Sequence, residues 1–283
     1  MATDRERGRV RLIVNADDLG SSAAVNRGVE RACREGIVTS ASLMAGGPAF
    51  DDALAGLDDL AELGVGVHLT LAGGLAVLDA GGAPTLAGPG RALPKDAAAF
   101  ARAFYSGKIS LADVRAELRA QIARVSAAGI RITHLDGHQH LHNLPGVAAV
   151  VIGLAREFGV RAVRLSRCRL WPPGRRWLGR QLALCLFAEA FGVRARRAGL
   201  RMPDGLEGQE WAGALTVERL LAIVARLEPG TRELVCHPAA REPSGHADAD
   251  GYGRAGELRA LTAPAVRAAL QERGVRLINY AAL

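Results

Sequence analysis

The segment Gly129-Ile-Arg-Ile-Thr-His134-Leu-Asp-Gly-His138-Gln-His-Leu-His142-Asn-Leu-Pro145 joins a short apolar stretch to a dense polar cluster. It contains four of the protein's seven histidines. The apolar residues at its start favour a β-strand, and Gly137 would let the chain turn out of the sheet. Imidazole and carboxylate groups are costly to bury without a partner, so packing alone does not explain the cluster. These histidines are therefore expected where a strand becomes a loop.

Three of the histidines occupy alternate positions between His138 and His142, and in an extended chain they would point roughly the same way. At least one could then bind a metal ion while another orients it or contacts substrate. The alternative is a polar loop whose histidines cap a helix that begins near Pro145, with Asn143 as the better cap.

The rest of the chain alternates between strand and helix patterns. Predicted strands cover residues 9–15, 37–44, 64–70, 129–135, 160–165, 233–238 and 275–280. Predicted helices cover residues 22–35, 48–63, 96–106, 110–128, 145–158, 177–191, 216–227 and 264–274. Ser21 or Ser22 can cap the first of these helices. This alternation predicts an α/β fold with a parallel sheet, and closure into a barrel would remove both sheet edges. The length suits one domain over residues 1–283 as well as two smaller ones, and no linker forces a division.

Residues 72–94 are rich in glycine, alanine and proline and have no convincing period. Loops of this length are uncommon unless they are functional or disordered. We therefore expect a long loop over one end of the domain.

The net charge of +7 is unevenly distributed. Residues 161–201, interpreted as an Arg-rich insertion, contain eleven arginines and a single acid, Glu189. Such a segment could meet phosphates, an anionic membrane surface or an acidic substrate, or be only a solvated surface. No nucleic-acid-binding motif accompanies it, so no nucleic-acid partner is expected. No secretory signal or long apolar run is present either, which predicts a cytoplasmic protein.

Polar residues end several predicted strands: Asp17 and Asp18, His68, the histidine segment, and His237. In parallel α/β barrels the carboxyl ends of the strands form the rim where catalytic residues collect. A mixed carboxylate and imidazole set suits a divalent cation, and one aspartate with two histidines leaves positions open for water and substrate. Open positions favour catalysis, such as the polarisation of an amide carbonyl.

Four motifs resemble those of the YdjC-like carbohydrate deacetylases, a family that includes chitooligosaccharide and hopanoid-associated deacetylases. They are Asn15-Ala-Asp-Asp-Leu-Gly20, Gly66-Val-His-Leu-Thr70, Thr133 to His142 with Pro145, and Cys236-His-Pro238. The resemblance runs in order from Val10 to Leu283. It implies a (β/α) barrel of about seven strands, an incomplete TIM-type barrel. It also implies an enzyme that hydrolyses the N-acetyl group of an acetamido sugar to an amine and acetate.

The resemblance further implies one divalent metal ion, with zinc or magnesium favoured, bound by Asp18, His68 and His138. Asp17 would be the general base and His237 the general acid. Each residue has a plainer alternative, because Asp17 could cap a helix and the two strand-end histidines could be hydrogen-bonded core residues.

The remaining polar residues of the segment are assigned less closely. Asp136, His140 and His142 are expected behind the metal ligands or in the substrate pocket, and no role is assigned to His134.

The Arg-rich segment and the scarcity of aromatic residues in the long loop depart from the family. Sugar rings usually stack on aromatic side chains, so an anionic or lipid-linked acetamido sugar is favoured over a long neutral one, with Arg175, Arg176 and Arg180 as contacts. Peripheral membrane contact and a homo-oligomer stay open. The alternatives are a metal-dependent phosphoesterase and a non-catalytic protein that binds sugars or an anionic membrane.

Overall fold

A computed structural model of the protein describes residues 10–167, 178–240 and 253–283, without the side chains of residues 178–184. The strands are β1 (Val10–Leu19), β2 (Ser40–Leu43), β3 (Gly64–Leu69), β4 (His134–Gly137), β5 (Ala162–Val163), β6 (Gly205–Glu207), β7 (Gly230–Cys236) and β8 (Arg276–Leu277). The helices are α1 (Ala23–Arg34), α2 (Phe50–Leu57), α3 (Ala97–Tyr105), α4 (Leu111–Ala127), α5 (Val147–Glu157), α6 (Leu178–Arg197), α7 (Val217–Arg226), α8 (Arg254–Leu261) and α9 (Pro264–Glu272).

The strands form one parallel sheet in the order β5-β4-β3-β2-β1-β7-β6, and β8 pairs with the start of β1. The sheet curls until its two ends approach each other. A parallel bridge joins Ala162 to Arg201, and the backbone N–H of Leu206 donates to the carbonyl of Arg167 at 2.8 Å. This confirms the predicted barrel-like α/β fold of about seven strands, because seven strands form the curled path and β8 lies off it.

The apolar runs of the central strands explain their place in the sheet. All six residues of β3 and the last eight of β1 are buried, as expected of parallel strands covered on both faces. Helix α1 covers one side of the sheet. Of its two candidate caps, Ser21 and Ser22, the second is confirmed, since the Ser22 hydroxyl accepts from the Val25 backbone N–H at 3.2 Å. Such a cap contributes about 1 kcal/mol.

The predicted long loop follows β3 and contains only one short 3₁₀ turn, Pro89–Arg91. Two buried polar residues of α4 hold it. The Glu117 carboxylate accepts from the backbone N–H groups of Val77 at 2.8 Å and Leu78 at 2.9 Å. The Gln121 side chain pairs with both backbone groups of Thr70. The loop is thereby anchored at its start and again at Val77 and Leu78.

Several predicted boundaries were wrong. Helix α2 ends at Leu57 instead of continuing to residue 63, and single turns at Leu60 and Leu63 follow it. Helix α5 begins at Val147 after Gly146, so neither Asn143 nor a histidine caps it. Strand β6 and helix α8 were not predicted, because three residues are too few to show a period and α8 has apolar and charged residues on all sides. No helix among the described residues is both long and apolar enough to span a bilayer.

Candidate metal centre

Two adjacent aspartates at the end of β1 both face the interior of the barrel. Successive residues of a regular strand point to opposite faces of the sheet. Here the pairing of β1 with β2 is irregular between Ala16 and Leu19, and Asp18 has a left-handed backbone with φ of 67°. This bulge turns Asp18 so that its side chain is buried beside that of Asp17, with 5% of each exposed.

Three potential ligand atoms converge next to this bulge. Asp18 Oδ1 lies 3.5 Å from His68 Nε2 and 3.2 Å from His138 Nδ1, and the two ring nitrogens are 3.3 Å apart. Ligands about 2.0–2.1 Å from a tetrahedrally bound zinc lie roughly 3.3 Å apart. The set predicted from the sequence is therefore brought together at separations that suit one metal ion.

The bonding around the cluster also suits a cation. Asp18 Oδ1 is buried and accepts no hydrogen bond of good geometry among the described residues, although it faces two ring nitrogens. The carboxylates linked through this site outnumber the arginines by four to two when all are ionised: Asp17, Asp18, Asp136 and Glu233 against Arg164 and Arg254. A divalent cation would neutralise the excess negative charge.

His68 is oriented from behind by Asp136. Its Nδ1–H donates to Asp136 Oδ1 at 3.0 Å, which leaves Nε2 directed at Asp18. This is the arrangement in which a carboxylate fixes the tautomer of a metal-binding histidine. Burial lowers the pKa of His68, but Asp136 and Asp17 outweigh it and hold the pKa well above the usual value. The surroundings of this ring therefore favour a positive charge at Nε2, which either a second proton or a bound cation supplies.

Asp17 is held by a different partner. Arg164 donates from Nη1 to Asp17 Oδ2 and from Nη2 to Oδ1, both at 2.7 Å, and the Asn15 amide donates to Oδ1 at 2.9 Å. Burial raises the pKa of Asp17, but the Arg164 guanidinium outweighs it and keeps the pKa below its usual value. Asp17 Oδ2 lies 3.9 Å from His68 Nε2, so an ionised carboxylate lies next to the cluster of Asp18, His68 and His138.

Arg164 is completely buried and also bonds Asp136 and Glu233. As part of the Arg-rich segment, Arg164 was expected to face an anionic partner or solvent, and this expectation was wrong. Its position at the carboxyl end of β5 was the signal that could have identified it, because the same rule located the aspartates and histidines. Arg167 pairs with Glu189, whereas Arg175 and Arg176 and the side chain of Arg180 lie outside the described residues.

His237 follows β7, whose Cys236 pairs with Ala16 of β1, so it emerges beside the aspartates. Its backbone N–H donates to Glu257 Oε2 at 2.6 Å, and its Nδ1 lies 4.0 Å from the same oxygen. Glu257 is buried in α8 and also accepts from the backbone N–H of Gly213. The His237 position is thus fixed by α8, a helix that was not predicted from the sequence.

The expectation that His138, His140 and His142 point one way was wrong. Residues His138–Asn143 form a 3₁₀ turn in which Gln139 and His140 have left-handed backbones. His140 Nδ1 and His142 Nε2 instead approach Ser166 Oγ at 3.0 and 3.4 Å. Burial lowers the pKa of His142 to about 4, so this ring is neutral at pH 7. The contact of these histidines with Ser166, two residues beyond Arg164, was not predicted from the sequence.

Gly137 does not make the turn, because its φ of −152° is extended. Its lack of a side chain matters for another reason, since a Cβ there would lie 2.7 Å from His142 Nδ1. His134, left without a role, is buried, stacks on Tyr280 with ring centroids 3.8 Å apart, and lies 3.2 Å from Ser42 Oγ. Ser42 in turn donates to Asp136 Oδ2 at 3.0 Å.

Curated relatives match nearly the whole chain. A carbohydrate deacetylase of Geobacillus stearothermophilus is 34% identical over 95% of this chain and 96% of its own length. A chitooligosaccharide deacetylase of Klebsiella pneumoniae (strain 342) is 34% identical over 95% of this chain and 97% of its own. A human carbohydrate deacetylase is 36% identical over 96% of this chain and 90% of its own.

A solved structure shares the fold. It is a protein of Enterococcus faecalis V583, provisionally assigned to cellobiose-phosphate cleavage, which superposes with a TM-score of 0.77. It is 26% identical, and the match covers 97% of this chain and 98% of that one. The sequence profile of the family described as YdjC-like protein matches residues 11–272. Together with the relatives, this match establishes that the chain belongs to the YdjC-like family.

Proposed function

We propose that this protein hydrolyses the N-acetyl group of an acetamido sugar to give an amine and acetate, with one divalent metal ion at Asp18, His68 and His138. The convergence of these three ligand atoms beside the Arg164-bound Asp17 carries the proposal. The names of the relatives, carbohydrate and chitooligosaccharide deacetylase, support the sugar amide as substrate. The chain is accordingly a carbohydrate deacetylase.

When bound, a divalent metal lowers the pKa of water from 15.7 to about 7 and polarises a carbonyl oxygen, which are the two requirements of amide hydrolysis. Asp18, His68 and His138 would hold the ion. Asp136 keeps the proton of His68 on Nδ1, so that Nε2 offers its lone pair.

Asp17 accepts the proton from the attacking water. Arg164 keeps its carboxylate ionised and fixes its plane, and Oδ2 is the oxygen nearer His68 Nε2. His237 gives a proton to the sugar nitrogen as the carbon–nitrogen bond breaks. Glu257 holds the backbone of His237 in place for this step. A positioned acid or base contributes roughly 10²–10⁴-fold to the rate.

One metal ion is favoured over two. Asp17, His68 and Asp136 also form a group whose ligand atoms lie within 4.8 Å of one another. Arg164, however, bonds both of these carboxylates at 2.7 Å and compensates their charge. A binding stoichiometry of two metal ions per chain would favour the phosphoesterase alternative instead.

We propose an N-acetylglucosamine-type saccharide or glycolipid as substrate. Two arginines of the segment that favoured an anionic or lipid-linked form have partners within the protein, because Arg164 bonds Asp17 and Arg167 pairs with Glu189. Charged and neutral sugars must therefore be compared directly. A single domain over residues 1–283, a cytoplasmic location, peripheral membrane contact and oligomerisation stay predictions.

The test measures acetate release from free N-acetylglucosamine, short chitin fragments, and nucleotide- and lipid-linked forms, with and without chelator. We expect release that chelator abolishes and added zinc or magnesium restores. Asp17→Asn and His237→Ala should each lower kcat by about 10²–10⁴-fold with the fold retained. Asp59→Asn, a carboxylate with 79% of its side chain exposed, is the control. Release that persists in chelator would refute the metal-dependent mechanism.

A further inference from the structure

The two carboxylate oxygens of Asp18 face different groups. Oδ1 faces His68 Nε2 and His138 Nδ1, whereas Oδ2 accepts a hydrogen bond from Arg254 Nη2 at 2.9 Å. The Arg254 side chain is 12% exposed and the Asp18 side chain 5%. A buried, charge-assisted hydrogen bond of this length is among the stronger ones in proteins.

We infer that Arg254 is a positioning residue that restricts Asp18 to binding the metal through one oxygen, Oδ1. This inference rests on the proposed metal site. A carboxylate that binds a metal through both oxygens must turn both towards the ion, and Arg254 holds Oδ2 away from that geometry. One coordination position is thereby kept open for water or the substrate carbonyl.

The fold fixes Arg254 in this place. It is the first residue of α8, and the helix start is anchored because the backbone N–H of Gly253 donates to the Gly213 carbonyl at 2.7 Å. Glu257, one turn later, accepts from the backbone N–H groups of His237 and Gly213. Residues three apart on a helix lie on one side, so a single turn contacts both Asp18 and His237.

The neighbouring aspartate has the opposite arrangement. Both oxygens of Asp17 accept from Arg164, which leaves Asp17 as a base and not as a ligand. Arg254 contacts only one oxygen of Asp18 and leaves the other for the metal. Arg164 thus holds Asp17 as a base, whereas Arg254 leaves one oxygen of the adjacent Asp18 for the metal.

The experiment compares wild type, Arg254→Met, Arg254→Lys and Arg259→Met as metal-free proteins titrated with Co²⁺. Calorimetry gives the affinity, and the visible absorption reports coordination, because its intensity falls as the number of ligands rises. Arg259 is an exposed arginine of the same helix and serves as the matched control. Arg254→Gln, whose side chain is too short to reach Oδ2, replaces Arg254→Met if that variant does not fold.

We expect Arg254→Met to bind Co²⁺ as tightly as wild type, with weaker absorption at saturation and kcat for acetate release lowered about 10–100-fold. Arg254→Lys, which keeps a charged donor, and Arg259→Met should retain the wild-type spectrum. A wild-type spectrum for saturated Arg254→Met would overturn the inference, as would an affinity loss of tenfold or more without a spectral change. Co²⁺ binding by Asp18→Asn equal to wild type would instead refute the proposed metal site.

Discussion

Arg164 Nη1 and Nη2 each lie 2.7 Å from one carboxylate oxygen of Asp17, with no exposure of the arginine and 5% of the aspartate side chain exposed. Removing one partner of a buried ion pair leaves an uncompensated charge, which typically costs about 3–5 kcal/mol. Arg164 also bonds Asp136 and Glu233, so its loss would leave three carboxylates close together.

We therefore predict that Arg164→Met lowers the free energy of unfolding by about 3–5 kcal/mol, measured by urea denaturation. Arg164→Lys should also lose stability, because lysine cannot form the two parallel hydrogen bonds. The loss should be smaller than for Arg164→Met, because lysine keeps the positive charge. The control is Arg167→Met, which breaks a pair whose side chains are both 44% exposed and should cost at most about 1 kcal/mol. Equal losses for Arg164→Met and Arg167→Met would contradict the role given to the buried cluster.

His138 is the most exposed of the three proposed ligands, with 21% of its side chain accessible. His138→Ala should consequently change stability by less than about 1 kcal/mol while weakening metal binding at least about tenfold. Calorimetric titration of the metal-free protein measures the affinity. Gln271→Ala, an exposed glutamine of α9 away from the site, is the control, and unchanged affinity in His138→Ala would exclude His138 as a ligand.

Gly28 of α1 packs directly against the chain that follows His237. A Cβ at this position would lie 2.4 Å from the Ala239 Cα, so Gly28→Ala must displace backbone. Overpacking of this kind costs about 1–3 kcal/mol, and we also expect kcat to fall because His237 shifts with Ala239. Thermal denaturation and acetate release measure the two effects.

The matched control for Gly28 is Gly56→Ala in α2, where an added Cβ meets no atom within 4 Å. Replacing a helical glycine in open space should stabilise the protein by about 0.5–1 kcal/mol. A Gly28→Ala variant as stable and active as wild type would show that α1 does not support the His237 segment.

Glu117 anchors the first part of the long loop through the backbone N–H groups of Val77 and Leu78. Glu117→Gln places an amide NH₂ group against one of the two backbone N–H donors. The lost hydrogen bond to the buried carboxylate should lower the free energy of unfolding by about 1.5–3 kcal/mol. We expect proteolysis between residues 70 and 94 to accelerate. Glu157→Gln, a carboxylate 31% exposed that pairs with Arg115 and Arg119, should leave that cleavage rate unchanged. Equal cleavage of Glu117→Gln and wild type would argue against the anchor.

Much of the scaffold follows from local patterns. The cap of α1 was narrowed to Ser21 or Ser22 because capping depends on nearby residues, and β3 was recognised because its apolar run is continuous. The end of the histidine segment was misjudged for the opposite reason. The left-handed backbones of Gln139 and His140 are not glycine positions, and no local pattern distinguishes them from extended chain.

The sequence by itself determined which polar residues end the strands, because strand periodicity and strand ends are local properties and parallel strands bring those ends to one rim. Only the tertiary structure decided which aspartate acts as the base and which binds the metal in the proposed mechanism. Arg164 is 147 positions from Asp17, and Arg254 is 236 positions from Asp18. Only the folded chain brings each arginine to its own aspartate, and in the buried centre the nearest charge decides whether a carboxylate is held as a base or offered to a metal.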